Sequence, residues 1–174
     1  MEAYNSRWNE IYKEEETLLR AKFGGKIIAI EHVGSTSISG ALAKPIIDIA
    51  AGVRNLDLGK ALINDFEQLG YEYRPFVPNV TFDDLKSQLL FAKGPDECRT
   101  HYLHMAEFGG SFWIDIIAFR DYLKNKPDLV KKYNELKLKL AHQFAGDRKS
   151  YTSGKNEFVK STIIEAKKEE QLQQ

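Results

Sequence analysis

The sequence predicts an α+β (α/β) fold, a mixed β-sheet flanked by helices, in one domain over residues 1–174. Three observations lead there. Two short runs rich in β-branched residues, KIIAIEHVG and PIIDIAAGV, follow each other early in the chain. Apolar residues recur at helical spacing near both ends. Glycine or proline punctuates the boundaries between these segments.

Element by element, Trp8, Ile11, Tyr12, Leu18 and Leu19 give a helix over about residues 5–22, closed by Gly24-Gly25. KIIAIEHVG is a strand. SISGALAK is a loop or short helix. PIIDIAAGV is a second strand, with Pro45 at its start, where proline is tolerated. Leu58, Leu62, Phe66 and Leu69 mark one helix over residues 56–69. YEYRPFV, KSQLLFAKG and HYLHMAEF read as further strands. In GGSFWIDIIAFRDYLKNKP, Phe112, Ile116, Phe119 and Leu123 fit a helix with Ser111 as its N-cap. Pro127 then opens a long helix carrying Val130, Tyr133, Leu136 and Leu140 to about Phe144, and Gly146 stops it. A terminal helix follows Gly154, and its last eight or so residues are expected to fray. No repeat divides the chain.

Composition limits the function classes. The 25 basic and 25 acidic residues cancel, whereas duplex nucleic-acid binding usually leaves a basic excess. A single cysteine, Cys98, forms no internal disulfide. The N-terminal stretch is acidic and amphipathic, unlike a signal peptide. No apolar run approaches the ~20 residues that span a bilayer. The expectation is a cytoplasmic protein with neither duplex nucleic acid nor membrane as partner.

Chemistry concentrates between the first two strands, in Gly34-Ser35-Thr36-Ser37-Ile38-Ser39-Gly40. A strand, a Gly-Ser turn and a short helix can present backbone N–H groups and hydroxyls to a phosphate, with Lys44 adding charge. The alternative is a connection whose hydroxyls cap their own backbone. Asp48 lies within an apolar strand, where a carboxylate is costly unless paired or metal-bound. His32 precedes the turn and can be a ligand or a hydrogen-bonded structural residue. His101 and His104, three apart on a strand, face opposite ways, with His104 toward the site. Arg120 suits bidentate phosphate contact, or a structural pair with Asp121. Lys137 and Lys155 are candidates for a phosphate groove. His142 reads as a surface residue, and Tyr122, Tyr133 and Tyr151 as core or interface.

HVGSTSISGALAKPIIDIAAGV, then HYLHM, then FRDYLKNKPDLVKKYNELKLKLA, then DRKSYTSGKNEF resemble, in order, the signature of the GrpB family over about residues 5–165. The resemblance implies a nucleotidyltransferase-like fold related to domains fused to dephospho-coenzyme A kinases. It also implies a nucleotide or other phosphorylated small molecule as partner. Gly34, Ser35, Thr36 and Ser37, with His32, Lys44, Arg120 and Lys155, would hold the phosphates, and Asp48 and His104 would be catalytic. Active nucleotidyltransferases carry Asp-x-Asp or Asp-x-Glu on the second strand. Period-two alternation there sets both carboxylates on one face for nucleotide-dependent Mg²⁺. This chain reads Asp48-Ile49-Ala50, so the second carboxylate is missing. Glu31, or Asp115 if its segment were a strand, are the extra metal ligands available. His101 and His104 would suit Zn²⁺ or Mn²⁺ better than Mg²⁺. A nucleotidyltransferase, an inactive module for a nucleotide or coenzyme A precursor, and a protein-interaction domain are the readings carried forward.

Overall fold

The structure is a computed structural model that describes residues 1–75 and 87–172. Its centre is a five-stranded mixed sheet in the order β1-β2-β5-β4-β3. β1 (Ala29–Val33) runs antiparallel to β2 (Ile47–Val53). β2 runs parallel to β5 (His101–Glu107), and β5 antiparallel to β4 (Gln88–Lys93). β3 (Tyr71–Arg74) pairs antiparallel with β4 at the edge. The rest of the segment expected as the β3 strand, residues 76 and 77, lies outside the described residues.

α1 (Arg7–Phe23), α2 (Leu56–Ala61) and α3 (Ile63–Gln68) cover one face of the sheet. Trp8, Leu19, Phe23 and Phe66 pack there on Ile47, Ile49, Phe91, Leu103 and Met105, all fully or nearly buried. Alternation along each strand sends these residues to one side and their neighbours to the other. The expected single helix over 56–69 is two helices that meet at Leu62, which is C-cap of one and N-cap of the next. The apolar stripe continues through the break, so spacing alone does not reveal it. Asn55 caps α2 by accepting from the Leu58 N–H.

α4 (Ser111–Lys124), α5 (Pro127–Gln143), α6 (Arg148–Ser153) and α7 (Asn156–Leu172) occupy the other side. The segment around Asp115 is therefore helical. Its N-cap is Gly110 rather than Ser111, which is the first helical residue and makes no side-chain cap. Pro127 opens α5, as its fixed φ suits a first helical turn. α6 has no apolar stripe to announce it. Asp147 starts it by accepting from the Ser150 N–H and hydroxyl. α7 continues to Leu172, through most of the stretch expected to fray.

The connection between β1 and β2 is fastened to α5. Asn134 donates to the Gly40 carbonyl and accepts from the Leu42 N–H, both at 2.8 Å. Ile38 and Ala41 pack beneath it on Leu123, Val130 and Tyr133. This is what holds the hydroxyl-rich turn at the sheet end.

Candidate active site

Gly34 is where the sequence commits the turn. Its φ is +68°, a conformation open to glycine and strained for other residues. A Cβ there would lie 2.2 Å from the Asp48 Oδ2 atom. Both requirements exclude a side chain, and the close approach sets Asp48 against the turn. Ser35–Ser37 then form one turn of 3-10 helix. Ser37 donates its hydroxyl back to the Gly34 carbonyl at 2.7 Å, so it caps the turn.

A cavity of about 680 Å³ opens beside this turn. Ser35, Thr36, Lys44, Asp48, His104, Lys137, Arg148, Tyr151 and Lys155 border it. The pieces come from β2 and β5 at the sheet face, the 34–44 connection, α5, α6 and the corner before α7. Gly154 allows the α6–α7 corner to sit close on α5, since a Cβ there would be 2.5 Å from the Leu140 side chain. That corner delivers Tyr151 and Lys155.

The basic groups here are set against rings and neutral oxygens rather than carboxylates. Lys44 and Lys155 both approach the Tyr151 ring, at 5.7 and 4.8 Å from its centroid. Arg148 lies over the Tyr102 ring at 5.3 Å and donates to its hydroxyl. Lys137, 2% exposed, sits 4.2 Å above the Tyr133 ring. It donates to the Leu42 carbonyl and lies 3.4 Å from the Ser35 hydroxyl. Burial, with Lys155 nearby, pulls the Lys137 amine down to about 7. Burial also lowers Lys155, Lys44 and Arg148 push the same way, and Asp48 opposes them.

Asp48 and His104 face each other at the cavity. The His104 Nδ1 atom bonds the Gln88 Oε1 at 2.8 Å, which places its proton on Nδ1 when Gln88 accepts. Nε2 then faces Asp48 Oδ1 at 3.7 Å. Thr36 is fully buried at the cavity wall and meets His32 Nε2 at 3.0 Å.

Five residues expected at the site, Glu31, His32, Gly34, Ser37 and Arg120, do not border the cavity. His32 pairs in register with Ile49, so it points to the α1 face, where it stacks on Tyr12 at 4.7 Å. Burial depresses it to about 4. Ser37 turns into the turn it caps. Arg120, 8% exposed, spends its guanidinium on Asp121, on Glu31 at 2.7 Å and on the His32 carbonyl at 3.0 Å. Glu31 is the partner that holds it. Asp115 does border the cavity, from α4, but is ion-paired with Lys167. His101 pairs with Ile47 and faces the α1 side, buried beside Thr100.

The donors do not fit a protein-held Mg²⁺. Ala50 shares the face of Asp48 but is 1% exposed, covered with Val33, Ala106 and Trp113 by α4. Glu31 and Asp115 are committed to cations. Among the described residues no group of three or more His, Cys, Asp or Glu side chains could hold a metal ion. One carboxylate oxygen and one imidazole nitrogen fall short of the octahedral oxygen shell Mg²⁺ requires. Arg148, Gln88 and Tyr102 went unnoticed as individual candidates. Arg148 lies within DRKSYTSGKNEF, so that motif was the available signal.

A five-stranded mixed sheet with helices on both faces, and a cavity at its Gly-Ser turn, is an α+β architecture, and its relatives are specific. Residues 1–165 match the family described as GrpB protein, and the chain belongs to that family. It is 34% identical over 163 residues to the Glutamate-rich protein GrpB of Alkalihalophilus pseudofirmus, covering 93% of this chain and 92% of that one. It is 37% identical over 165 residues to the UPF0157 protein YqkA of Bacillus subtilis, covering 95% of this chain and 46% of YqkA, so it spans about half of that relative. The crystal structure of conserved protein GrpB from Enterococcus faecalis superposes with a TM-score of 0.82 at 32% identity, over 96% of each chain. Among the described residues no helix is long and apolar enough to cross a membrane.

Proposed function

We propose that this protein binds a nucleotide, or another phosphorylated small molecule, with its phosphates in the basic part of the cavity against Ser35 and Thr36. One observation carries this reading. Four basic side chains, Lys44, Lys137, Arg148 and Lys155, border the cavity against two carboxylates, Asp48 and Asp115, of which Asp115 is paired with Lys167. The formal net charge of the whole chain is zero. Such a local excess raises the free energy of the empty site and is relieved by a multiply charged anion. The lowered Lys137 and Lys155 support the same reading, since a bound phosphate favours their charged forms.

The Gly34-Ser35 turn followed by Asp48 supports a nucleotidyltransferase-type role for the site. An acceptor oxygen would attack the α-phosphorus of a nucleoside triphosphate. The new P–O bond forms as the bond to pyrophosphate breaks. His104 Nε2 accepts the acceptor's proton, and Asp48 stabilises the resulting imidazolium. Lys44, Lys137 and Lys155 hold the charge of the leaving pyrophosphate. Mg²⁺ would reach Asp48 as a phosphate complex, not as a resident ion. Ala50 favours a second reading, a binding module without transfer, because its place under α4 holds no second carboxylate.

A thermal-shift screen tests the first claim, because a ligand of the native state raises Tm by mass action. Nucleoside triphosphates and coenzyme A precursors are compared with and without Mg²⁺, Mn²⁺ and Zn²⁺. A rise with a phosphate compound and no metal supports the site. No rise with any phosphate compound contradicts it. Binding without pyrophosphate release across acceptor hydroxyls selects the second reading.

A further inference from the structure

The basic groups occupy only part of the cavity. Its far wall is mostly apolar: Leu90 of β4, Phe112, Ile116 and Phe119 of α4, and Val159 and Ile163 of α7 border the same space, with Asp115 and Lys160 on the same two helices. The apolar side chains are half-buried rather than packed away. Phe112 stands beside His104, ring centroids 6.0 Å apart and ring planes inclined by 29°, so this wall begins beside His104. A cavity for bare phosphate or for a sugar phosphate has no use for such a wall, which would hold ordered water at apolar surface. From this juxtaposition we infer that the ligand is a phosphate ester with an uncharged apolar body, a flat ring or a hydrocarbon chain, seated on the α4–α7 wall while its phosphates meet Lys137 and Lys155.

This inference rests on the phosphate reading above and adds the class of body attached to the phosphate. It also explains why α4 and α7 are amphipathic toward a space instead of toward each other alone. Apolar body and phosphate are bound by different side chains, those on α4 and α7 on one side and those on the 34–44 connection, α5 and the α6–α7 corner on the other. The two contributions are therefore separable by mutation.

Calorimetric titration with matched probes tests it. Tripolyphosphate carries the charge without a body, adenosine triphosphate adds a flat ring, and decyl phosphate is compared with inorganic phosphate for a hydrocarbon. At least one body-bearing probe is expected to bind about tenfold or more tighter than its bare counterpart. Ile163→Asn, at the half-buried wall, is expected to erase most of that preference while leaving tripolyphosphate affinity within about twofold. Ile116→Asn gives an independent variant on α4. Equal affinity for bare and body-bearing probes overturns the inference and leaves the phosphate reading standing. The same holds if both wall variants weaken tripolyphosphate as much as adenosine triphosphate. Failure of every phosphate probe to bind overturns both. The preferred body, ring or chain, follows from which pair shows the larger ratio.

Discussion

The two faces of the sheet both bury charge, and they balance it differently. On the α1 face, Glu15 is buried between Lys93, whose amine reaches both carboxylate oxygens at 2.8 and 2.9 Å, and the Tyr71 hydroxyl at 3.0 Å. Acid, base and hydroxyl close on one another, and the large apolar core surrounds them. On the α4–α7 face, lysines and an arginine gather around a cavity with aromatic rings for company and Asp48 as counter-charge. The first arrangement is complete within the chain. The second leaves basic groups beside a cavity with rings and neutral oxygens as their contacts, and that difference is what the proposed anion would exploit.

The comparison breaks most visibly at Lys155. Lys155→Glu is expected to weaken nucleoside triphosphate binding about 100-fold or more, because it replaces a charge-assisted contact with repulsion. Its melting temperature should change little, since a half-buried cation among cations is not supporting the fold. Calorimetry and thermal unfolding on the same sample check both statements.

Glu15→Gln is the mirror image. It leaves the half-buried Lys93 beside a neutral amide and is expected to cost about 2 kcal/mol by denaturant unfolding. Phosphate affinity should stay at the wild-type value. Loss of affinity with retained stability would show that the closed face feeds the cavity.

Gly34→Ala lies between the two. The added Cβ meets Asp48 and the backbone has φ +68°. Denaturant unfolding should show a loss of about 2 kcal/mol, and ligand affinity should also fall as Asp48 is displaced.

pH separates the faces more gently. Lys137 has a folded value near 7 against its ordinary 10.5, so the unfolded chain binds more protons between those values. The ligand-free protein is therefore expected to gain stability as pH rises from about 7 toward 10.5, with the contribution of Lys155 in the same direction. Bound phosphate raises the Lys137 value, so triphosphate affinity should fall as pH climbs above about 7. Calorimetry in buffers of different ionisation enthalpy reads the accompanying proton uptake. The smallest effect belongs to Ser35→Ala, which should weaken anion binding by about 1 kcal/mol with less effect on unfolding.

Much of the sheet was legible in the sequence because period-two alternation is a local property. The β-branched runs around Glu31 and Asp48 marked β1 and β2, and the spacing of His101 and His104 placed them on opposite faces. The same alternation put His32 away from Asp48, though its position beside the Gly-Ser turn argued for the site. Arg120 and Glu31 could not be matched from sequence, because α4 and β1 meet only in the fold. Asp115 borders the cavity although its segment is helical, because α4 lies across the sheet. α6 and Arg148 escaped because a six-residue helix needs no apolar stripe. Motif order, by contrast, carried the family.

A crystal structure with bound nucleoside triphosphate tests the central claim most directly. The account predicts phosphate oxygens within hydrogen-bond reach, about 3 Å, of Lys137, Lys155 and Ser35. Phosphates bound elsewhere at saturating ligand, with these three side chains left as they are, would contradict it.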